Sequence, residues 1–437
     1  MSLVPSFVEL VQQVACVMTA PSAASFVTVI TGWVMTRRRT VTGMILAADA
    51  VGTKHHSAYH RLFAAASWSL DALGLAVFAL ILPWLGPGMI VLAVDDTLAR
   101  KRGKKVHGVG MHHDPLISTR KVALTNWGHS WVVLGVIVRF PFCPQRCFCL
   151  PILFRLYISK QTVAKQGGRY RTRPELAVEM LTVLCAACAA RRFHTLADSA
   201  YGGQSVLANL PPNCDLTSRL DLDARLYNAP PQSKPGAKGR PRKRGQRLKT
   251  PRQMLKGRTR ILTLNSYGRR RDRSRVADME ARVHAVPDRR LRIVAVTPLT
   301  GGRPQQAFYS TCHDASPKQV LTWYAMRWSI EEANQNSKGH LGFEEPQGWS
   351  PQAVERTAPM AMLLYSLIIL WFAKEGRHHY RPPYRPWYRS KTHASFADML
   401  ATLRCQSTRH QVFSLGLSGK GCRKVIDTVE ALVRHAA

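Results

Sequence analysis

Two short apolar segments are each followed directly by an aspartate, and this pattern constrains the fold more than any other feature of the sequence. Residues 89–94 (MIVLAV) precede Asp95, and residues 193–197 (FHTLA) precede Asp198. Both segments have the composition of buried strands, and a helix is predicted between them over residues 173–190. Ligand sites in α/β sheets lie at the carboxyl ends of strands, so the pattern predicts an α/β fold with both aspartates at a sheet edge. The alternative is that each aspartate only caps a turn or helix.

A third acidic residue, Glu331, lies in a helix predicted over residues 317–338. At about 100° per residue, four side chains of this segment fall within an arc of about 60°. They are Tyr324, Arg327, Glu331 and Lys338. A face of this kind is a poor hydrophobic seam, which favours a functional site. A simple i,i+4 surface ion pair between Arg327 and Glu331 is the equal alternative.

The net charge indicates the class of partner. The chain has 62 Lys and Arg against 26 Asp and Glu, a net charge of +36. A field of this sign favours a polyanion, nucleic acid before an anionic membrane, and disfavours an ordinary metabolic enzyme. Because 46% of the residues are hydrophobic, the chain can bury a large core and is not a disordered basic tail.

The positive charge is concentrated between residues 234 and 275. This window contains 17 of the 62 basic residues and a single acid, Asp272. Like-charge repulsion and frequent Pro and Gly predict that its first half is a flexible loop that binds a phosphate backbone, with a solubilising linker as the alternative. The candidate DNA-binding residues of the loop are Arg240, Arg242, Lys243 and Arg244.

The first 85 residues are predicted to be mostly helical. Basic clusters at residues 37–39 and 54–61 suit a small DNA-binding unit, but a solvated helix face explains them equally well. Further strands are predicted over residues 130–139, 292–299 and 306–311, the last two joined by a Gly-Gly turn.

Three segments together resemble bacterial insertion-sequence transposases of the DDE class. The spacing Tyr324-x2-Arg327-x3-Glu331-x6-Lys338 resembles the Y-R-E-K signature of this cut-and-paste group. The segment VDDTLARKRGKKVHGVGMHHDP resembles its D-x-T block, and ADSAYGG resembles its D-x-x-Y block. The resemblance covers about residues 90–350, while the N-terminal region and residues 380–437 match no named family.

The resemblance implies a ribonuclease H-like core with a mixed sheet, in which Asp95, Asp198 and Glu331 are the catalytic and metal-binding residues. Asp95 is preferred to Asp96 because it fits D-x-T with Thr97, and Asp96 stays the alternative. Family members commonly carry a β-rich insertion before the glutamate. The expected divisions are a helical DNA-binding region (1–85), a first core part (86–218), a basic and β-rich insertion (219–312), a second core part (313–378) and a basic C-terminal region (379–437).

The expected chemistry is cleavage of double-stranded DNA at the element ends followed by strand transfer into target DNA. An in-line attack at phosphorus places negative charge on two oxygens, which two Mg²⁺ ions held by carboxylates stabilise, with Mn²⁺ as a substitute. Arg327 and Lys338 would contact DNA phosphates near the cut, and Tyr324 would contact the backbone. By analogy with the family, a homodimer is expected when two DNA ends are synapsed.

Two rival functions stay open at this point. One is a DNA-binding protein descended from such an enzyme and no longer catalytic, and the other is a metal-dependent nuclease without strand transfer. Trp328 and Trp349 could stack on a displaced base, although packing in the core is the preferred interpretation for both.

Membrane insertion, export and structural zinc are disfavoured. The apolar stretch at residues 73–94 is broken by Pro and Gly, and residues 359–373 are predicted to form a buried core helix. The ten cysteines lack zinc-finger spacing and a secretory signal, which predicts packed free thiols. A cytoplasmic, nucleoid-associated protein without a membrane partner is therefore expected.

Overall fold

The computed structural model describes residues 2–114, 116–119, 121–231, 244–266, 269–382, 391, 393–414 and 428. Its centre is an eleven-stranded mixed sheet with helices packed against it. The predicted α/β class with a mixed sheet is confirmed.

The strands follow one another along the chain with helices between several of them. They are β1 (Ile90–Arg100), β2 (Gly110–His113), β3 (Thr125–Val138), β4 (Phe148–Tyr157), β5 (Phe193–Ala197), β6 (Cys214–Leu220), β7 (Leu226–Tyr227), β8 (Arg260–Ser266), β9 (Arg269–Val283), β10 (Val286–Pro298) and β11 (Gln306–Ser310).

Helices precede, interrupt and follow the strands. They are α1 (Pro5–Ala15), α2 (Ala20–Met35), α3 (Val41–Ala47), α4 (His56–Ala64), α5 (Leu70–Ile81), α6 (Lys160–Gln166), α7 (Arg173–Ala187), α8 (Gln204–Leu207), α9 (Pro251–Leu255), α10 (Pro317–Met326), α11 (Trp328–Leu341), α12 (Pro351–Trp371), α13 (Arg377–His379) and α14 (Phe396–Ser414).

The strand β1 is the central one of five neighbouring strands that include both strands before the aspartates. It pairs in parallel with β5, which pairs in parallel with β6. On its other side β1 pairs antiparallel with β3, which pairs antiparallel with β4. The resulting order, β4-β3-β1-β5-β6, is consistent with the expected ribonuclease H-like core.

The pairing of β1 with β5 places the two aspartates side by side. The last parallel pair is Val94 with Ala197. Asp95 is the next residue after Val94, and Asp198 is the next residue after Ala197. The expectation that β1 ends at residue 94 is wrong, because the long strand β3 continues to pair with it as far as Arg100. Asp95 therefore lies in the part of β1 that pairs with β3 but no longer with β5.

The β-rich insertion extends the main sheet. The predicted strands at 292–299 and 306–311 are present as β10 and β11, and β11 pairs antiparallel with β6. Their connection contains Gly301 and Gly302, both with positive φ, a conformation that glycine adopts without strain. The second half of the basic window forms β8 and the first part of β9, which pair with each other.

The N-terminal region is helical, as predicted, through α1 to α5. These helices share one hydrophobic core with α12 and the sheet. The predicted core helix at residues 359–373 lies in α12 and the turn that follows, and every residue from Thr357 to Ala373 is buried. One helical segment of the described chain, Pro351–His379, has the length and apolarity to cross a membrane, but 89% of its apolar window is buried inside the protein.

The helix predicted over residues 317–338 is divided in two. The first part, α10, begins with a capping box between Ser316 and Gln319 and ends at Met326. The second part, α11, begins at Trp328. Arg327 lies at the junction, where its N–H donates to the carbonyl of Tyr324, three residues back, which is the spacing of a tighter 3₁₀ turn.

Candidate active site

Asp95 and Asp96 are consecutive residues of β1 with separate sets of partners. The Nη1 of Arg327 donates to Asp95 Oδ2 at 3.3 Å, and the backbone N–H of Asp96 donates to Asp95 Oδ1 at 2.9 Å. The hydroxyl of Tyr201 donates to Asp96 Oδ1 at 2.9 Å, and Arg173 Nε lies 3.4 Å from Asp96 Oδ2. Successive side chains of a strand point to opposite faces, so Asp95 lies on the α11 side and Asp96 on the α7 side.

Glu331 shares its partner with Asp95. The Nη2 of Arg327 donates to Glu331 Oε1 at 2.6 Å, so one guanidinium bridges a carboxylate of β1 and a carboxylate of α11. The i,i+4 ion pair considered for Arg327 and Glu331 exists, but it is not a surface pair, because the Arg327 side chain is only 12% exposed. A guanidinium that donates to two carboxylates forms charge-assisted hydrogen bonds with fixed geometry.

Asp198 lies at the same edge, one strand away. Its Oδ1 accepts a hydrogen bond from the N–H of Ser199 at 2.6 Å, and it caps the turn Ser199–Tyr201. The capping role is therefore real. Asp198 is also close enough to Tyr324 to affect its titration. Burial raises the pKa of Tyr324 to about 12, with the charge of Asp198 adding to this rise and Arg327 opposing it.

The electrostatic surroundings of Asp95 disfavour its charged form. Burial raises the pKa of Asp95 to about 7, and Asp96 and Glu331 add to the effect. Arg327 and the N–H of Asp96 oppose it without cancelling it. Arg327 alone does not bring the pKa of Asp95 back to its usual value, and a further cation beside the carboxyl would favour the ionised form.

Tyr324 and Lys338 both lie inward. Tyr324 is 6% exposed, its ring centroid is 4.5 Å from that of Phe308, and the guanidinium of Arg327 lies 5.6 Å from its ring. The Nζ of Lys338 donates to the carbonyl of Leu98 in β1 at 2.6 Å. Arg327 and Lys338 thus both contact β1, in agreement with the predicted common face. Their contacts with DNA stay predictions.

The predicted basic loop is only partly described. Arg240, Arg242 and Lys243 lie outside the described residues. Arg244 is exposed, its Nη2 lies 2.7 Å from His284 Nε2, and its guanidinium lies 5.5 Å from the ring of Tyr227. DNA binding by these four residues stays a prediction.

The carboxylates form two sets in this structure. In the described part of the chain no group of three or more His, Cys, Asp or Glu side chains is placed to hold a metal ion. Asp95 and Glu331 converge on Arg327, while Asp198 is attached to its own turn. Repulsion between the partly buried carboxylates of Asp95 and Glu331 explains why a cationic side chain lies between them.

Two tryptophans are placed differently from the expectation. Trp328 is 50% exposed and Trp349 is 72% exposed, so the prediction that both pack in the core is wrong. Trp328 follows Arg327, and Trp349 follows the polar segment at residues 344–348. Neither tryptophan belongs to the regular apolar spacing on which core predictions depend. Tyr201 is the tyrosine of the D-x-x-Y block, but nothing in the sequence indicated that it or Arg173 contacts Asp96, because neither is near Asp96 along the chain.

Comparisons with known proteins identify the family. A family model described as "DDE superfamily endonuclease" matches residues 22–278. The match contains Asp95 and Asp198, and it begins well before residue 90, so the expectation that the N-terminal region matches no family is wrong. The chain is also 28% identical over 156 residues to "Probable transposase for insertion sequence element IS701" from Microchaete diplosiphon. That alignment covers 36% of this chain and 37% of the relative.

Proposed function

Because the chain belongs to the DDE superfamily endonucleases, we propose that it is the transposase of a bacterial insertion sequence. It binds the double-stranded DNA of the element ends, cleaves it and joins the freed 3′-hydroxyl to target DNA. The name of the relative supports this reading, and the net charge of +36 suits a protein that holds DNA. Synapsis of two ends brings two copies together as a homodimer.

The observation that carries the proposal is the double contact of Arg327 with Asp95 and Glu331. A carboxylate from the first strand and one from a late helix are brought to a single cation. Asp198 follows the neighbouring parallel strand at the same edge. Two acidic residues on one guanidinium and a third at the same sheet edge support a site for phosphodiester chemistry in a strongly basic chain.

The three carboxylates are the proposed ligands of two Mg²⁺ ions, with Mn²⁺ as a substitute. Hard carboxylate oxygens suit these cations, and a cation bound beside Asp95 would oppose the burial that raises the pKa of its carboxyl. When bound, the ions supply charge stabilisation for the attacking and leaving oxygens at phosphorus. Asp95 is the preferred ligand of the doubled pair because Asp96 is occupied by Tyr201 and Arg173 on the other face.

The basic residues of the site act on the DNA. Arg327 presents a planar guanidinium at the cleavage position, and its rigid fork suits a phosphate as well as a carboxylate. Tyr324 keeps Arg327 in place through its ring, and its hydroxyl is the proposed contact to the DNA backbone. Lys338 is the second proposed phosphate contact, and Arg240, Arg242, Lys243 and Arg244 extend binding along the duplex.

Substitution of the acidic residues tests the proposal. Asp198→Asn and Glu331→Gln should each abolish Mg²⁺-dependent cleavage of element-end DNA and leave binding largely intact. The matched control is Glu332→Gln, because Glu332 is the next residue of α11 and pairs with Arg146 instead. Cleavage by either site variant at the wild-type rate would contradict the assignment.

The products distinguish the rival functions. A transposase yields DNA in which an element end is joined to target DNA. Cleaved ends that are never joined would indicate a nuclease without strand transfer. Binding without cleavage by the unaltered protein would indicate a DNA-binding protein that is no longer catalytic.

A further inference from the structure

A second surface that suits DNA lies where β1 ends. The loop that follows β1 contains Arg102, Lys104 and Lys105, all exposed. In the described part of the chain none of the three pairs with a carboxylate. Trp349, which is 72% exposed, belongs to a neighbouring loop after α11. We call these four residues the distal surface.

The two loops are joined by hydrogen bonds. The Nζ of Lys101 donates to the carbonyls of Glu344 and Pro346, both at 2.8 Å. The backbone N–H of His107 donates to the carbonyl of Trp349 at 3.0 Å. The two loops are therefore fixed relative to each other, and Trp349 is held at the end of the basic loop by a backbone contact with His107 rather than by burial of its ring.

Acidic residues near the distal surface already have partners. Glu344 accepts a hydrogen bond from the N–H of Arg100 and lies 3.7 Å from Lys338. Glu345 pairs with Arg39 at 3.1 Å, and Glu355 lies 4.0 Å from His107. The charges of Arg102, Lys104 and Lys105 are thus available to a polyanion outside the protein.

The distal surface is in line with the candidate active site. The contacts between β1 and the segment that contains α11 follow the same order along both elements. Asp95 contacts Arg327, and farther along Leu98 contacts Lys338. Five residues separate Asp95 from the end of β1 at Arg100, which is about 17 Å at about 3.3 Å per residue. Successive base pairs of B-DNA rise about 3.4 Å along the helix axis. A duplex that runs along β1 from Asp95 would therefore reach the distal surface after about five base pairs.

We propose that the distal surface binds the DNA that leaves the active site, about five nucleotides from the cut. Arg102, Lys104 and Lys105 contact phosphates, and the indole of Trp349 stacks on an unpaired base. Exposed aromatic rings beside cations are the usual means of holding unpaired bases. The inference rests on the proposed function, which supplies the cut phosphate as the point of reference.

Binding of labelled duplex DNA to the full chain in EDTA tests the phosphate contacts. The triple variant Arg102→Ala, Lys104→Ala, Lys105→Ala should weaken binding at least about tenfold and lower the log–log salt slope by about 0.9 per lost contact. The matched control is Lys318→Ala with Lys374→Ala, which removes exposed cations of α10 and of the turn after α12. An unchanged slope in the triple variant, or an equal loss per charge in the control, would overturn the proposal.

The length of the DNA tests the position. On a duplex that ends about three base pairs from the cut on this side, the triple variant and the wild type should bind equally. Cleavage at saturating protein should stay within about threefold of wild type, whereas Asp198→Asn loses cleavage with binding intact. Failure of the distal surface can thus be told apart from failure of the proposed function. A defect that persists on the shortened duplex would overturn the placement.

Trp349 is tested by its own substitutions. Trp349→Ala should weaken binding about tenfold to DNA with mismatched bases about five nucleotides from the cut. Trp349→Phe should retain most of the affinity, because a phenyl ring also stacks. Fully paired DNA should be less affected by either change. If Trp349→Ala alters only the oligomeric state, measured by light scattering, the surface binds a second copy and the proposal is wrong.

Discussion

The two faces of β1 give consecutive carboxylates opposite surroundings. On the α11 face, Asp95 is buried near Glu331, and its pKa rises to about 7 in spite of Arg327. On the α7 face, Asp96 accepts a hydrogen bond from Tyr201 and lies 3.4 Å from Arg173.

Strand alternation gives the two consecutive carboxylates separate partners, and we propose that Asp95 acts in catalysis while Asp96 supports β1. The Asp96 face contains only partners that stabilise its carboxylate. Burial and the charge of Asp96 raise the pKa of Tyr201 well above its usual value, so its hydroxyl stays a donor. On the Asp95 face, burial disfavours the charged carboxylate more than Arg327 stabilises it, so an added cation would be favourable there.

The largest expected difference is in cleavage. Asp95→Asn should lower Mg²⁺-dependent cleavage of element-end DNA at least about a thousandfold, because a metal-binding charge is lost. Asp96→Asn should stay within about tenfold of wild type, because its effect is on the support of β1. Single-turnover cleavage measures both. The reverse ranking would exchange the roles of the two faces.

Arg327 should be the next most sensitive residue on the Asp95 face. Arg327→Gln should lower cleavage about a hundredfold, and Arg327→Lys should recover little of it, since an ammonium cannot replace a fork that donates to two carboxylates. Cleavage assays under saturating DNA measure the effect. Recovery by lysine would show that only the charge matters, and that the bridging geometry does not.

The stability of the two faces should depend on pH in different ways. The folded pKa of Asp95, about 7, lies above the value of about 4 expected in the unfolded chain. The folded state therefore binds the extra proton between these values, and this contribution to stability is present below pH 4 and lost as pH rises through 7. Asp95→Asn should thus raise the unfolding free energy of the metal-free protein at pH 8 by about 1–4 kcal/mol, and its melting temperature should rise accordingly.

The same substitution should have little effect on stability at about pH 3, where Asp95 is protonated in both the folded and the unfolded state. Asp96→Asn is the matched control and should lower stability at pH 8. Thermal unfolding at the two pH values measures each variant. A melting temperature of Asp95→Asn that falls at pH 8 would show that the contact with Arg327 outweighs burial.

The smallest expected effect is that of Tyr201. Tyr201→Phe removes the donor to Asp96 and should lower the unfolding free energy by about 1–3 kcal/mol. Cleavage by the folded variant should stay close to wild type, because Tyr201 lies on the α7 side of β1. Chemical denaturation with a parallel cleavage assay measures both. Loss of cleavage without loss of stability would place Tyr201 among the residues that act on the DNA.

Local patterns in the sequence predicted the edge of the sheet well. The strands before Asp95 and Asp198 have compositions that are readable in short windows, and the spacing of Arg327 and Glu331 by four residues predicts their ion pair. Each of these inferences needs only neighbouring residues. The interruption at Arg327 was not readable in this way, because no Pro or Gly marks the junction in the sequence.

Tertiary partners account for what the sequence did not predict. Tyr201 and Arg173 reach Asp96 only because β1, β5 and α7 pack together. The strands β8 and β9 were hidden by basic residues that dominate the composition, although Leu264 and Val276 are buried on the inner face. A charge-rich outer face conceals the alternation on which strand prediction rests.

Calorimetric titration of Mn²⁺ into the complex with uncut DNA tests the central claim most directly. The account predicts that wild type and Asp96→Asn bind the metal alike, and that Asp95→Asn, Asp198→Asn and Glu331→Gln each weaken binding about tenfold or more. Normal binding by Asp95→Asn together with loss of binding by Asp96→Asn would contradict it.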